Sequence, residues 1–96
     1  MPMSDVFSAL AHPVRREVLR LLRDGPMTAG ALAERFDVAK PTMSRHFAAL
    51  KDAGLIQAEK SGNQIRYRLN VSVAEELMAL MMDLLKTTGS SKGDTT

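Results

Sequence analysis

The spacing of the apolar residues changes at Gly54, and this change limits the possible folds of the 96-residue chain more than any other feature. Before Gly54, apolar side chains recur three and four residues apart, which is the period of amphipathic helices. After it, residues 64–69 alternate strictly between polar and apolar, which is the period of a half-buried strand. The sequence therefore predicts a mainly α domain that contains a small β-hairpin.

Two helices are predicted before the first turn. A short one begins at Ser4 or Asp5 and is interrupted at Pro13. Proline fits the first turn of a helix because it has no N–H to lose there, so a second helix is predicted over residues 13–23. Asp24-Gly25-Pro26 ends this helix.

Two more helices follow, separated by a short turn. Thr28 is a good N-cap for a third helix over residues 29–36. Pro41 opens a fourth helix that runs to about residue 53, where Gly54 fits the C-terminal cap position. The inward face of the fourth helix is predicted from the spacing of Met43, Phe47 and Leu50. Its other sides are predicted to carry Thr42, Arg45, His46 and Ala49.

The hairpin is predicted from two strands, residues 55–60 and 64–69, joined by turn residues at 61–63. One face of the second strand carries Ile65, Tyr67 and Leu69. Its other face carries Gln64, Arg66 and Arg68, so the hairpin has one wet, basic face. Tyr67 alternates in step with its apolar neighbours and is predicted to be core.

A fifth helix is predicted to begin with a capping box at Ser72 and Glu75 and to end near Thr87. Its apolar stripe is wider than one edge of a small domain needs, which indicates a partner subunit. The residues after it are mostly Gly, Ser, Thr, Lys and Asp. We therefore predict one domain over residues 1–88 and a disordered tail over 89–96.

Positive charge is concentrated in the middle of the chain, where residues 38–70 hold six basic and two acidic residues. This distribution is expected of a segment that faces phosphates. The chain has no cysteine, which excludes disulfides and thiolate metal sites and fits the cytoplasm. We see neither a signal peptide nor an apolar run of the ~20 residues needed to cross a bilayer, so no membrane insertion is expected.

Three helices followed by a hairpin give the order of a winged helix-turn-helix domain, in which the fourth helix enters the DNA major groove. Double-stranded DNA is therefore the expected partner. On the helix, Arg45 is predicted to read a guanine, Thr42 and Ser44 to bind phosphates, and Lys40 to lie near the backbone. His46 is predicted either to contact DNA or to hydrogen-bond inward. The wing candidates for phosphate or minor-groove contact are Lys60, Asn63, Arg66 and Arg68.

These segments also resemble the ArsR/SmtB family of transcriptional regulators. Residues 9–19 read ALAHPVRREVL, and residues 27–33 read MTAGALA. Residues 41–56 read PTMSRHFAALKDAGLI, with the specific Ser-Arg-His motif and Ala-Gly-Leu-Ile ending. Gly62 and Tyr67-Arg68-Leu69 are similar to the family's wing. The similarity spans about residues 4–87 and is greatest to the metal-independent autorepressor branch.

The resemblance implies a homodimer built from the first and last helices, which represses by binding an inverted-repeat operator and is released by an effector or an anti-repressor protein. The dimer-interface candidates are Val6, Phe7, Leu10, Leu77, Met78, Met81, Leu84 and Leu85. The chain departs from metal-sensing relatives because it has no cysteine and its last helix has no histidine. We therefore expect no cofactor and no cysteine- or histidine-based metal site. Ala39 is a further departure, since many relatives have a serine there that could cap the fourth helix.

Two other functions remain open at this point. The chain could be a winged-helix module that docks a partner protein through its last helix, or a regulator gated by a small apolar ligand at the dimer interface. Catalysis is not expected, because Ser44 and His46 are two residues apart on one helix and cannot face each other as nucleophile and base.

Overall fold

The computed structural model describes the backbone of residues 3–94 and the side chains of residues 3–86. Its helices are α1 (Met3–Leu10), α2 (Pro13–Leu21), α3 (Ala29–Ala33), α4 (Lys40–Asp52) and α5 (Val71–Asp94). Its strands are β1 (Met27–Thr28), β2 (Ile56–Ser61) and β3 (Gln64–Leu69). A short 3₁₀ turn, Leu22–Asp24, follows α2. The predicted winged helix-turn-helix order is confirmed.

The start of α2 is fixed by its neighbours in sequence. The N-cap residue is His12, whose Nδ1 accepts a hydrogen bond from the Val14 N–H at 3.1 Å. Pro13 stands in the first turn, as predicted. The segment ends at Gly25, which has a φ of 138° that other residues rarely adopt.

The sheet has three strands rather than the two of the predicted hairpin. Its order is β1-β3-β2, so β3 is central and pairs antiparallel with both neighbours. The hairpin register runs from Ile56 opposite Leu69 at the base to Ser61 opposite Gln64 at the tip. β1 was missed because two residues are too few to show an alternation.

One core joins the helices to the sheet. It is formed by Val6, Ala9, Val18, Leu22, Leu32, Met43, Phe47, Leu50, Ala53, Leu55, Ile56, Tyr67 and Val73. The prediction that Tyr67 is core is confirmed, and burial raises the pKa of its phenol. Since these residues come from α1, α2, α3, α4, β2, β3 and α5 and from the segments that follow α2 and α4, the core fixes the position of α4 on the domain.

Several helix boundaries differ from the prediction, among them the end of α2, which is at Leu21 rather than at residue 23. α3 ends at Ala33 rather than at residue 36. α5 begins at Val71, and the Ala74 N–H donates to the Asn70 carbonyl at 3.3 Å, so Asn70 and not Ser72 precedes the helix.

α5 continues past the expected end near Thr87 to Asp94. The predicted disordered tail, 89–96, overlaps this stretch. Its side chains and residues 95–96 lie outside the described residues, so the tail stays a prediction. No helix in the described part of the chain is both long and apolar enough to cross a membrane.

Candidate nucleic-acid interface

The outer side of α4 presents a polar stripe. Lys40, Ser44 and Arg45 are exposed, while Thr42 is half-buried. Ser44 and Arg45 lie in the middle of the 13-residue helix, on the side away from its buried residues. A helix that presents such a face fits the DNA major groove, where hydrogen-bond donors can reach base edges.

The inner side of α4 holds the helix in place. Met43, Phe47 and Leu50 are buried, as predicted. The rings of Phe47 and Tyr67 have centroids 5.0 Å apart at a tilt of 36°, so α4 packs directly onto the central strand. Aromatic pairs at this separation stabilise by about 0.5–1.5 kcal/mol beyond the burial of their area.

His46 lies on the inner side of α4 and not among the exposed candidates. It is only 6% exposed, and its Nδ1 accepts a hydrogen bond from the Arg15 Nε–H at 3.2 Å. This favours the inward alternative over direct DNA contact. The spacing carried the signal, because position 46 lies three residues after Met43 and four before Leu50, which places it in the same stripe.

The environment of His46 favours the neutral ring. Burial lowers the pKa of this imidazole, and the charge that His12 carries when it is protonated and the charge of the Arg15 guanidinium lower it further. The ring centroids of His12 and His46 are 4.3 Å apart. Sequence reasoning placed neither His12 nor Arg15 against α4, since Arg15 and His46 are 31 residues apart.

The start of α4 lacks a side-chain cap. Ala39 occupies the N-cap position with an extended ψ of 145°. It makes no side-chain hydrogen bond, because a methyl group has no acceptor. Pro41 has no N–H, so the Thr42 N–H is the one that a capping hydroxyl would reach.

We expect Ala39→Ser to raise the free energy of unfolding by about 1 kcal/mol, because the new hydroxyl can accept from the Thr42 N–H. For a domain of this size that corresponds to a rise in melting temperature of about 4–8 °C, measurable by circular dichroism. Ala48→Ser, at an exposed position inside α4, is the control and should give no gain. Equal melting temperatures for Ala39→Ser and the wild type would contradict the prediction.

The basic residues of the wing, which is the hairpin of β2 and β3, differ in exposure and in their neighbours. Arg66 is half-buried on the central strand, opposite Thr28 and Glu59. Arg68 is exposed, but its Nε lies 3.5 Å from Glu59 Oε2, so part of its charge is compensated. Asn63 is exposed beside Gly62, whose φ of 63° forms the turn at the tip.

Lys60 is exposed on the opposite face of the hairpin from Arg66 and Arg68, because it pairs with Ile65 and side chains alternate along a strand. Ile65, predicted to share an apolar face with Tyr67, is 40% exposed near the tip. It lines a cleft of about 280 Å³ whose rim includes Lys40 and Ser44 of α4. Residues of α4 and of the central strand therefore line one shared depression.

A second surface lies on α5, which has two apolar faces. Val73 is buried, and Leu77 and Leu80 are half-buried, so this face packs on the domain. The other face is exposed and consists of Met78, Met81, Met82 and Leu85. Monomeric soluble proteins rarely expose a contiguous row of apolar side chains of this kind, so this face is a candidate interface.

The predicted interface residues are not equally available. Phe7, Met78, Met81, Leu84 and Leu85 are exposed, and Leu10 and Leu77 are half-buried. Val6 is fully buried in the chain's own core, so it has no surface to offer to a partner; the prediction for this residue is corrected. Position 6 is on the side of α1 that faces the domain, whereas Phe7 points outward.

Within residues 3–86, no group of three or more His, Cys, Asp or Glu side chains is placed to hold a metal ion.

This architecture and the α4 surface define a winged helix-turn-helix protein. A helix-turn-helix domain family matches residues 10–59. The transcriptional repressor SdpR of Bacillus subtilis (strain 168) is 39% identical over 92 residues, which is 96% of this chain and 97% of that protein. The arsenical resistance operon repressor of Staphylococcus xylosus is 38% identical over 68 residues, which is 71% of this chain and 65% of that protein.

Solved structures agree with these relatives. An ArsR family transcriptional regulator superposes with a TM-score of 0.75 at 33% identity, over 88% of this chain and 96% of that chain. An ArsR-like transcriptional regulator from Rhodococcus sp. RHA1 gives a TM-score of 0.76 at 28% identity, over 93% and 83% of the two chains. The chain belongs to the ArsR/SmtB family and is a DNA-binding transcriptional repressor, not an enzyme.

Proposed function

We propose that the chain represses transcription as a homodimer bound to an inverted-repeat operator, with α4 of each protomer in a major groove. The observation that carries this proposal is the division of α4 into a buried apolar face and an exposed face with Ser44 and Arg45. In a symmetric dimer the two helices would enter successive major grooves about 34–36 Å apart.

The roles of the residues follow from their positions. Arg45 is exposed near the middle of α4, so it would donate two hydrogen bonds to one guanine. Lys40, Thr42 and Ser44 lie in the first half of the helix and would contact phosphates. In the wing, Asn63 and Lys60 near the tip would reach the DNA backbone beside the major groove. Arg66, further from the tip on β3, would add a phosphate contact. Arg68 contributes less, because Glu59 already neutralises part of its charge.

The dimer would form through the exposed face of α5 together with Phe7 of α1. Apolar side chains on both helices remain exposed in the isolated chain, and covering them would supply the association energy. We propose that the protein acts in the cytoplasm, where operator DNA is found. An effector or anti-repressor would relieve repression without a cysteine- or histidine-based metal site, since the chain has no cysteine and its two histidines are His12 and His46.

Titration of the purified protein against its own upstream DNA at two salt concentrations tests the proposal. Specific binding should exceed binding to random DNA and should weaken steeply as salt increases, because phosphate contacts release counterions. Equal affinity for upstream and random DNA would contradict operator recognition. Footprinting of the same region should reveal two half-sites related by inverted symmetry.

Arg45→Ala is expected to lower operator affinity by about 1–3 kcal/mol, roughly 5- to 150-fold, and to relax the preference for the base that it reads. Arg66→Ala should instead weaken all sequences alike and lower the slope of log affinity against log salt by about 1. Competition binding with single-base operator variants separates the two effects. The reverse pattern would show that the two arginines have exchanged roles.

A further inference from the structure

One arginine connects three parts of the fold. The Arg15 Nε–H donates to His46 Nδ1 of α4 at 3.2 Å. Its Nη1 donates to the Ser8 carbonyl of α1 at 3.4 Å. Because Arg15 itself belongs to α2, a single guanidinium joins α1, α2 and α4. α1 is a proposed dimer helix and α4 the proposed reading helix, so this side chain lies between the two surfaces.

The two histidines of the chain meet at the same place. His12 caps α2 by accepting the Val14 N–H at its Nδ1, and its ring lies 4.3 Å from that of His46. Both rings therefore use Nδ1 as an acceptor. A histidine whose Nδ1 accepts a hydrogen bond carries its proton on Nε2 and is neutral, because the protonated ring has donors at both nitrogens.

We propose that Arg15, His46 and His12 form a positioning cluster, which holds α4 in its DNA-reading orientation against α1 and α2 only while both imidazoles are neutral. The proposal rests on the proposed role of α4 in binding DNA. Protonation of His46 would turn its Nδ1 into a donor that faces the Arg15 donor, and protonation of His12 would remove the cap of α2. Acid is thus expected to loosen α4.

The charged groups around His46 disfavour its protonated form, as the proposal requires. Arg15 of α2 opposes a positive charge on the ring, as does His12 at the N-cap of α2 when it is protonated. Asp5 of α1 and Asp52 of α4 line a neighbouring cleft with Arg15. Within the described part of the chain, neither carboxylate forms an ion pair with Arg15 or with an imidazole. No opposite charge is therefore in place to stabilise a protonated His46.

The direction of the pH effect follows from linkage. The pKa of His46 is lowered in the folded chain, so the unfolded or loosened state binds more protons between the two pKa values. The cluster is fully stable above the ordinary histidine pKa of about 6.5 and weakens as the pH falls below it, toward the lowered value. If charge alone decided the outcome, acid would strengthen DNA binding, because added positive charge strengthens binding to phosphates. The cluster predicts that acid weakens it.

The test is the affinity for upstream DNA between about pH 7.5 and pH 5.5 at constant ionic strength. We expect the wild type to lose specific affinity by about tenfold as the pH falls. His12→Asn/His46→Asn removes both imidazoles, while each amide oxygen stands where Nδ1 accepted its hydrogen bond and asparagine is a good N-cap. Its affinity should not depend on pH. A wild-type affinity that is constant or increases in acid would overturn the proposal, as would the wild-type pH profile in the double variant.

Further variants separate positioning from general stability. Arg15→Lys keeps the charge but loses the planar fork, so we expect weaker specific binding at every pH. Arg20→Lys is the matched control on α2, because Arg20 is exposed and pairs with Glu17; it should bind as the wild type does. Equal loss in both variants would overturn the role of Arg15. Arg45→Ala should lose specificity yet keep the acid effect on its remaining affinity, which distinguishes failure of the cluster from failure of DNA reading.

A measurement on the wild type alone covers the case in which the asparagine variants do not fold. Nitrogen-15 NMR of the histidine rings at about pH 7.5 should show Nδ1 unprotonated in both residues. His46 should titrate at a lower pH than a histidine in an unfolded peptide. A proton on Nδ1 of His46 at that pH would overturn the proposal.

Discussion

Phe47→Ala is expected to lower the free energy of unfolding by about 3–5 kcal/mol. Phe47 is buried on the inner face of α4, where its ring contacts Tyr67 of the central strand at a centroid distance of 5.0 Å. Truncation would leave a cavity between helix and sheet and remove the aromatic pair. Small domains have only about 5–15 kcal/mol of stability in total, so this variant should lie near the unfolding threshold.

Urea unfolding followed by circular dichroism measures the effect, at one protein concentration because the stability of a dimer depends on the protomer concentration. Phe47→Leu is the control; it retains most of the apolar volume and should lose less than half as much. Operator affinity should fall with stability in both variants, since the same contact orients α4. A loss below about 1 kcal/mol for Phe47→Ala would show that this ring does not hold the helix on the sheet.

The local features of the fold were predictable from sequence. Pro41 and Gly54 mark the ends of the segment that contains α4, and the alternation over 64–69 identified β3. These signals depend on backbone preferences and on the period of one element. Burial of Met43, Phe47 and Leu50 was predicted for the same reason.

Features that depend on distant parts of the chain were not predictable in this way. β1 exists because Met27 pairs with Tyr67, and nothing within the two residues of β1 announces that pairing. The partners that His46 meets on the inner side of α4, Arg15 and His12, come from α2 and its N-cap, which are distant in the chain. Val6 was assigned to the dimer by resemblance, although it is buried in the chain's own core. Each of these features depends on contacts between residues that are far apart in the chain.

The candidate site shows the same division. Exposure of Lys40, Ser44 and Arg45 follows from the helical period once the inner face is known. The partial neutralisation of Arg68 by Glu59 depends instead on strand register, which brings together residues on opposite strands. Composition alone therefore gives the net charge of the wing but not which of its basic residues is compensated.

The second large effect is expected on α5. Met78 and Met81 are 64% and 43% exposed and lie three residues apart on the outer face, on the same side as Met82 and Leu85. Glu75, Glu76, Ala79 and Asp83 occupy another side of the helix. In a symmetric interface the same surface of both protomers meets itself, so one substitution changes the interface twice. A charge placed on this face would be brought near its own copy.

Met78→Glu/Met81→Glu is therefore expected to convert the dimer to a monomer and to lower operator affinity by about 10²–10⁴-fold, because the second half-site loses the high effective concentration that linkage provides. Analytical ultracentrifugation and DNA titration measure the two effects. Ala79→Glu adds a carboxylate to the polar side of the same helix and should leave both properties unchanged. Circular dichroism should show folded protomers in both variants, since neither methionine belongs to the core. A double variant that stays dimeric and binds operator as the wild type does would place the subunit interface elsewhere. Some other partner would then cover the exposed methionines of α5.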